Sequence, residues 1–252
     1  MNTPQLWPEY RGPVLVSLCA HLDRDGADVR SLEDYALLSR HLVAAGLPMI
    51  IFVDEPALDH LKFMNSYDHI KLVPLPENIL SPKITEKVGH LLSQGRRSPR
   101  STNPQKDTSE YYQLMYLKPW LVEIASQIGN SDTLWWVDLG VAHVSDIPPD
   151  FKQRIYRTEV APVLLFRDLR PGNRTAMWSA DDGLGFACGG LFGVKREATS
   201  WFVEKFEQHL HTMLAQGSVP LDEEVFTKMT LRHPEVIAVR NAWHQQLFIG
   251  LS

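Results

Sequence analysis

Cysteine is scarce in this chain. Its two residues, Cys19 and Cys188, fall in apolar strand-like runs and form neither a Cys-x-x-Cys pair nor a Cys/His zinc spacing. A disulfide scaffold and a structural zinc site are therefore not expected, and buried thiols suit a reduced, cytoplasmic protein. Long apolar runs are missing too. None approaches the ~20 residues that span a bilayer, and residues 1–11 lack a basic region followed by an apolar stretch. Neither a transmembrane helix nor a signal peptide is expected, and any membrane contact would be peripheral. Basic residues are not in excess: 25 Lys and Arg stand against 30 Asp and Glu, a formal charge of −5. That balance argues against nucleic acid as partner, but leaves room for a small anion held by a few local groups. Several motifs are also lacking. Without GxGxxG after the first strand, GxxxxGK[ST], HExxH or GxSxG, the dinucleotide-binding, P-loop, zinc-protease and esterase readings lose support.

What is present is an alternation of strands and helices. The 252 residues, 44% hydrophobic and 22% charged, suit one globular domain with a sizeable core. Residues 14–20 (VLVSLCA) predict a buried strand. Ser31 with Asp34 forms a capping box that opens a helix, ended by Gly46 and Pro48. Residues 49–53 (MIIFV) predict a second strand ending at Asp54, residues 56–63 a short helix, and residues 70–73 a third strand. Residues 95–110 (GRRSPRSTNPQKDTSE) are polar and read as a loop, either a lid or an insertion without a role. A helical pattern resumes at Tyr111, where Pro119 predicts a kink or the start of a second helix. Further strands are expected at 133–137 (TLWWV), 163–166, 185–194 (GFACGGLFGV) and 236–239, with helices at 197–214 and 221–231. The apolar runs are continuous rather than alternating, which predicts an αβα sandwich on a mostly parallel sheet. In such sheets ligands bind beyond the carboxyl ends of the strands, where His21, Asp23, Asp54, Asp138 and Gly140 fall.

Each of these residues has a functional and a plain structural reading. Asp138, delivered by a doubly aromatic strand and followed by Gly140, can hold a hard cation that bridges a diphosphate; it can equally cap the next turn. Asp54 can face a ligand at the end of the second strand, or cap the helix at Pro56, and the two can coexist. Gly189 and Gly190, inside an apolar strand, permit close approach of another group to the backbone or mark a bulge. Asp222 and Glu223 open a helix, where the dipole favours acids anyway, or reach the cleft as a general base. Asp181-Asp182 is most simply an exposed turn.

Several segments in order carry a resemblance: residues 16–24 with 30–35, 49–54, 111–118, 135–143, 186–193 (FACGGLFG) and Asp222-Glu223. Through them the chain resembles the HtrL/YibB-like family of bacterial glycosyltransferase-related proteins. The resemblance implies a GT-A-like nucleotide-binding αβα fold acting in lipopolysaccharide or other surface-glycan synthesis. It implies Mn²⁺ or Mg²⁺ on Asp138, with His244 as a further ligand or simply a surface tail residue. It implies a nucleoside held by His21, Asp23, Arg24 and Asp54. Lys118 would face the diphosphate, or stand solvated before Pro119. Many GT-A enzymes carry Asp-x-Asp where this chain has Asp138-Leu139-Gly140.

The function expected is transfer of a sugar from a nucleotide-sugar donor, UDP-linked as a first guess, to a glycan acceptor. Asp138 assists through a metal, and Asp222 or Glu223 orients or deprotonates the acceptor. Gly140 in place of a second acid keeps open a catalytically inactive nucleotide- or carbohydrate-binding relative. A nucleotidyltransferase is a poorer match, since His21-Leu22-Asp23-Arg24-Asp25-Gly26 is not a Gly-rich phosphate loop.

Overall fold

The computed structural model describes residues 6–22, 30–98, 101, 107–168, 187–242 and 246–251. Seven strands form one sheet: β1 (Val14–Cys19), β2 (Met49–Val53), β3 (Ile70–Pro74), β4 (Thr133–Val137), β5 (Val163–Asp168), β6 (Ala187–Lys195) and β7 (Ile237–Ala242). Their order is β3-β2-β1-β4-β6-β5-β7. β1 pairs in parallel with β2 and β4, β2 with β3, and β5 with β7. The mostly parallel sheet expected from the continuous apolar runs is present, with one exception. β6 runs antiparallel to both of its neighbours, β4 and β5.

Helices cover both faces. α1 (Leu32–Ala44), α2 (Glu55–Leu61) and α5 (Phe151–Arg157) pack on one side. α3 (Pro82–Ser93), α4 (Ser109–Ile128), α6 (Thr199–Ala215) and α7 (Asp222–Arg232) pack on the other. Alternate residues of a strand feed opposite faces, so Trp135 joins the first core and Trp136 the second. Trp136 stacks on Phe192, centroids 6.1 Å apart. This fixes the end of β4 against β6. Among the described residues no helix is long and apolar enough to cross a membrane.

The capping box of α1 forms as the sequence indicates, Ser31 Oγ accepting from Asp34 N–H and Asp34 Oδ2 from Ser31 N–H. Of the two outcomes expected at Pro119, the structure has it inside a single 20-residue helix, α4, and not opening a second one. The loss of one backbone hydrogen bond there is outweighed by the buried residues on either side, Tyr112, Tyr116, Leu121 and Val122. Helices α3 and α5 also form where no helix was expected. Of the polar 95–110 segment, residues 99–100 and 102–106 lie outside the described residues, and Ser109 and Glu110 open α4.

Candidate functional site

The reversed strand β6 sets the geometry of the site. Because it runs against β4, its first residues lie beside the end of β4, with Leu191 opposite Val137. Asp138 N–H donates to Gly190 O at 3.0 Å. The carboxylate of Asp138 and the Gly189-Gly190 pair therefore share one edge of the sheet. Helix α4 adds Lys118 and helix α7 adds Asp222 and Glu223.

Lys118 is the hub. Its side chain is 3% exposed, and its ammonium lies 3.2 Å from Asp138 Oδ1 and 2.9 Å from Asp222 Oδ2. It also donates to Gly189 O at 3.0 Å and stands 5.7 Å from the centre of the Trp136 ring. Burial alone would push the Lys118 ammonium toward neutrality. Asp138 and Asp222 reverse that and hold it charged, above its ordinary value. Lys118 thus has three protein acceptors and is not a free point charge for a diphosphate. Asp138 Oδ1 also accepts from Trp136 Nε1 at 2.7 Å, which locks the side chain at the strand end. Tyr111, two turns earlier on the same face of α4, is pushed up to about 12, first by burial and then by Asp222.

The two acids of α7 occupy different environments. Asp222 is 1% exposed, and its Oδ1 is buried with no hydrogen-bond partner among the described residues. Burial raises its carboxyl above the ordinary carboxylate value, with Lys118 pulling the other way. It lies so close to Gly189 that a Cβ there would collide with Oδ2 and sit 3.0 Å from the carboxyl carbon. The glycine at 189 is thus required by Asp222 itself. Glu223 keeps accessible surface, and its Oε1 accepts from Gly189 N–H at 3.4 Å. Glu224 caps the helix instead, accepting from Leu221 N–H at 2.7 Å. Gly190 has ordinary room, a Cβ there lying 3.4 Å from Asp138 Oδ2.

Gly140 follows Asp138 in the turn after β4. A Cβ on it would stand 2.8 Å from Tyr35 Cε1 and 3.6 Å from Arg30 Nη1. The absent side chain is what lets Tyr35 and Arg30 close over this turn. Arg30 Nη2 contacts His143 Nε2, and its guanidinium lies 5.9 Å from the Tyr35 ring centre. Burial raises the Tyr35 hydroxyl, Arg30 opposes that, and Asp138 adds to it. Tyr35 therefore sits within the fields of both groups. Arg30, Tyr35 and His143 were not singled out from sequence. They come from two separated segments, 30–35 and the turn after β4, and only the fold joins them.

At the ends of β1 to β3 lies a cleft of about 530 Å³, lined by His21, Asp54, Glu86, Glu110, Leu114 and Leu117 among others. Asp54 is the N-cap of α2, its Oδ1 accepting from Ala57 N–H at 2.9 Å. Its Oδ2 accepts from His21 N–H at 2.6 Å, so it ties the end of β2 to the end of β1. Asp54 faces the cleft and caps the helix at once. β1 lies between β2 and β4 in the sheet, so the cleft and Asp138 are neighbours along one edge. Asp23, Arg24 and His244 lie outside the described residues.

The fit of the cation implied by the resemblance turns on Asp138. Trp136 and Lys118 both engage Oδ1, and the side chain remains 42% exposed. Among the described residues no group of three or more His, Cys, Asp or Glu side chains is placed to hold a metal. Asp138 by itself therefore does not make a metal site among the described residues.

No protein-family model and no curated protein sequence matches the chain. Among solved structures it is similar to the apo form of mouse xyloside xylosyltransferase 1. The match covers 89% of this chain and 83% of that one, at 14% identity and a TM-score of 0.46.

Proposed function

We propose that this chain is a glycosyltransferase that takes a nucleotide-sugar donor, a UDP-sugar first, and passes the sugar to a hydroxyl of a glycan. The acceptor class is lipopolysaccharide or another surface polysaccharide, as the HtrL/YibB resemblance implies. The observation that carries the reading is the convergence of Asp138, Gly189-Gly190 and the start of α7 on the sheet edge next to the 530 Å³ cleft.

The division of labour follows from charge. The cleft offers the acceptors Asp54, Glu86 and Glu110, which suit the N–H and hydroxyl donors of a neutral nucleoside and repel a phosphate. The diphosphate would then lie toward Asp138. In the transfer, the bond from the anomeric carbon to the diphosphate oxygen breaks and a bond to the acceptor oxygen forms. The acceptor proton passes to a carboxylate. Of the two acids on α7, Glu223 keeps exposed surface and takes that role. Asp222, closed beneath Gly189, holds Lys118 in place. A Mn²⁺ or Mg²⁺ arriving with the diphosphate would be held by Asp138 and would neutralise the leaving group.

The test is a thermal-shift screen of nucleotide-sugars with and without Mn²⁺, followed by turnover of the hit. A ligand that binds only the folded chain raises its stability by mass action. A UDP-sugar is expected to raise Tm, and Asp138→Asn is expected to abolish transfer while leaving the fold intact. Full transfer by a stably folded Asp138→Asn protein would remove Asp138 from the mechanism.

A second reading is favoured by Gly140 and by the burial of Asp222. It is a nucleotide-binding relative that does not transfer sugar. Nucleotide binding that persists in chelator, with neither hydrolysis nor transfer, would select it.

A further inference from the structure

We infer that Arg30, fixed by His143 and Tyr35, is the anion-binding group of this edge and takes the diphosphate of the donor. This deepens the reading above and rests on it for the identity of the ligand.

Arg30 stands immediately before the N-cap of α1, which holds its backbone through the Ser31–Asp34 box. Its guanidinium contacts His143 Nε2 and the face of Tyr35. His143 Nδ1 lies 3.3 Å from Gly140 O. A carbonyl can only accept, so Nδ1 carries the imidazole proton and Nε2 offers a lone pair to Arg30. The raised Tyr35 phenol brings no charge of its own. None of the ion pairs among the described residues involves Arg30. Among the described residues its charge is thus oriented without an ion-pair partner.

The contrast with Lys118 is informative. Lys118 is buried and shared between two carboxylates. Arg30 stands on the opposite flank of the same turn, partly exposed, beside a phenol that also feels Asp138. A planar fork held in this way matches a phosphate bidentately. Gly140 bears on this arrangement through Tyr35: any side chain there would meet the ring against which the Arg30 guanidinium lies. Where a second carboxylate would hold a cation, this chain makes room for a guanidinium.

The experiment is calorimetric titration of the full chain, at fixed ionic strength, with uridine, UDP and inorganic pyrophosphate. Wild type is expected to bind UDP about tenfold or more tightly than uridine. Arg30→Gln is expected to lose that advantage and the pyrophosphate binding, with uridine affinity within about twofold. Arg30→Lys, which keeps the charge and loses the fork, falls between. His143→Ala, which unfixes the guanidinium, weakens UDP by a smaller factor, and its unfolding transition checks that it remains folded. Unchanged UDP affinity in Arg30→Gln, or equal loss of UDP and uridine, overturns the inference and leaves the donor reading standing. Arg30-dependent pyrophosphate binding with no nucleoside binding supports the anion site and removes the donor reading. No binding of any of the three to wild type overturns both.

Discussion

Lys118 Nζ and Asp222 Oδ2 lie 2.9 Å apart with both side chains almost wholly buried. Breaking a buried pair costs more than the pair contributes, because the remaining charge keeps its desolvation penalty. Lys118→Met should destabilise the chain by about 3–5 kcal/mol in urea unfolding. The double variant Lys118→Met with Asp222→Leu should recover much of the loss. Additive losses would show that the two side chains act independently.

The glycines of β6 give a second contrast. At Gly189 a Cβ collides with a carboxylate that is itself locked in an ion pair, whereas at Gly190 the nearest atom is 3.4 Å away. Gly189→Ala should cost about 1–3 kcal/mol, as overpacking does, and should displace Asp222. Gly190→Ala should fall well below that. Equal melting temperatures for the two variants would contradict the packing described.

The layers of the fold were legible in the sequence, because parallel strands buried on both faces read as short apolar runs. The direction of β6 was not, since a strand carries no local mark of its polarity. That direction is what brings Gly190 to Asp138. Helix α3 carries a short stripe in Ile84, Val88 and Leu91, starting at Pro82, which the polar residues between them dilute. The strand-end acids Asp54 and Asp138 were found by pattern. The burial of Lys118 was not, because lysine is almost never buried unless paired, and its partners are distant in sequence. The Arg30–His143 contact is hidden for the same reason.

Asp54 joins a cap to a cross-strand tie. Asp54→Ala should remove about 1–2 kcal/mol of stability through the lost cap. It should also weaken uridine binding, since the end of β1 at His21 is released into the cleft. Calorimetry and thermal unfolding on the same sample separate the two effects. Full nucleoside affinity at reduced stability would confine Asp54 to capping.

Divalent-cation dependence should follow the diphosphate. With few protein donors around Asp138, chelator should lower the affinity for UDP and leave that for uridine unchanged. Mn²⁺ alone should leave Tm within error of the metal-free chain. A large Tm rise on Mn²⁺ alone would point to a site completed by residues beyond those described here.

The Asp222 carboxyl also predicts a pH signature. Burial raises it above its ordinary value of 3.8 in the folded chain, against the pull of Lys118. The folded state therefore binds more protons than the unfolded one from about pH 4 upward, and this group lowers stability as pH rises through that window. The slope is at most ~1.4 kcal/mol per pH unit for one group. Exposed carboxylates held low by neighbours, such as Asp59 beside Lys62 and Asp150 beside Arg154, act in the opposite direction. Asp222→Asn removes the falling contribution, so stability of the variant should climb more steeply with pH than that of wild type. Urea unfolding from pH 4 to pH 7 reads this directly. Parallel curves would mean that Lys118 keeps Asp222 ionised throughout.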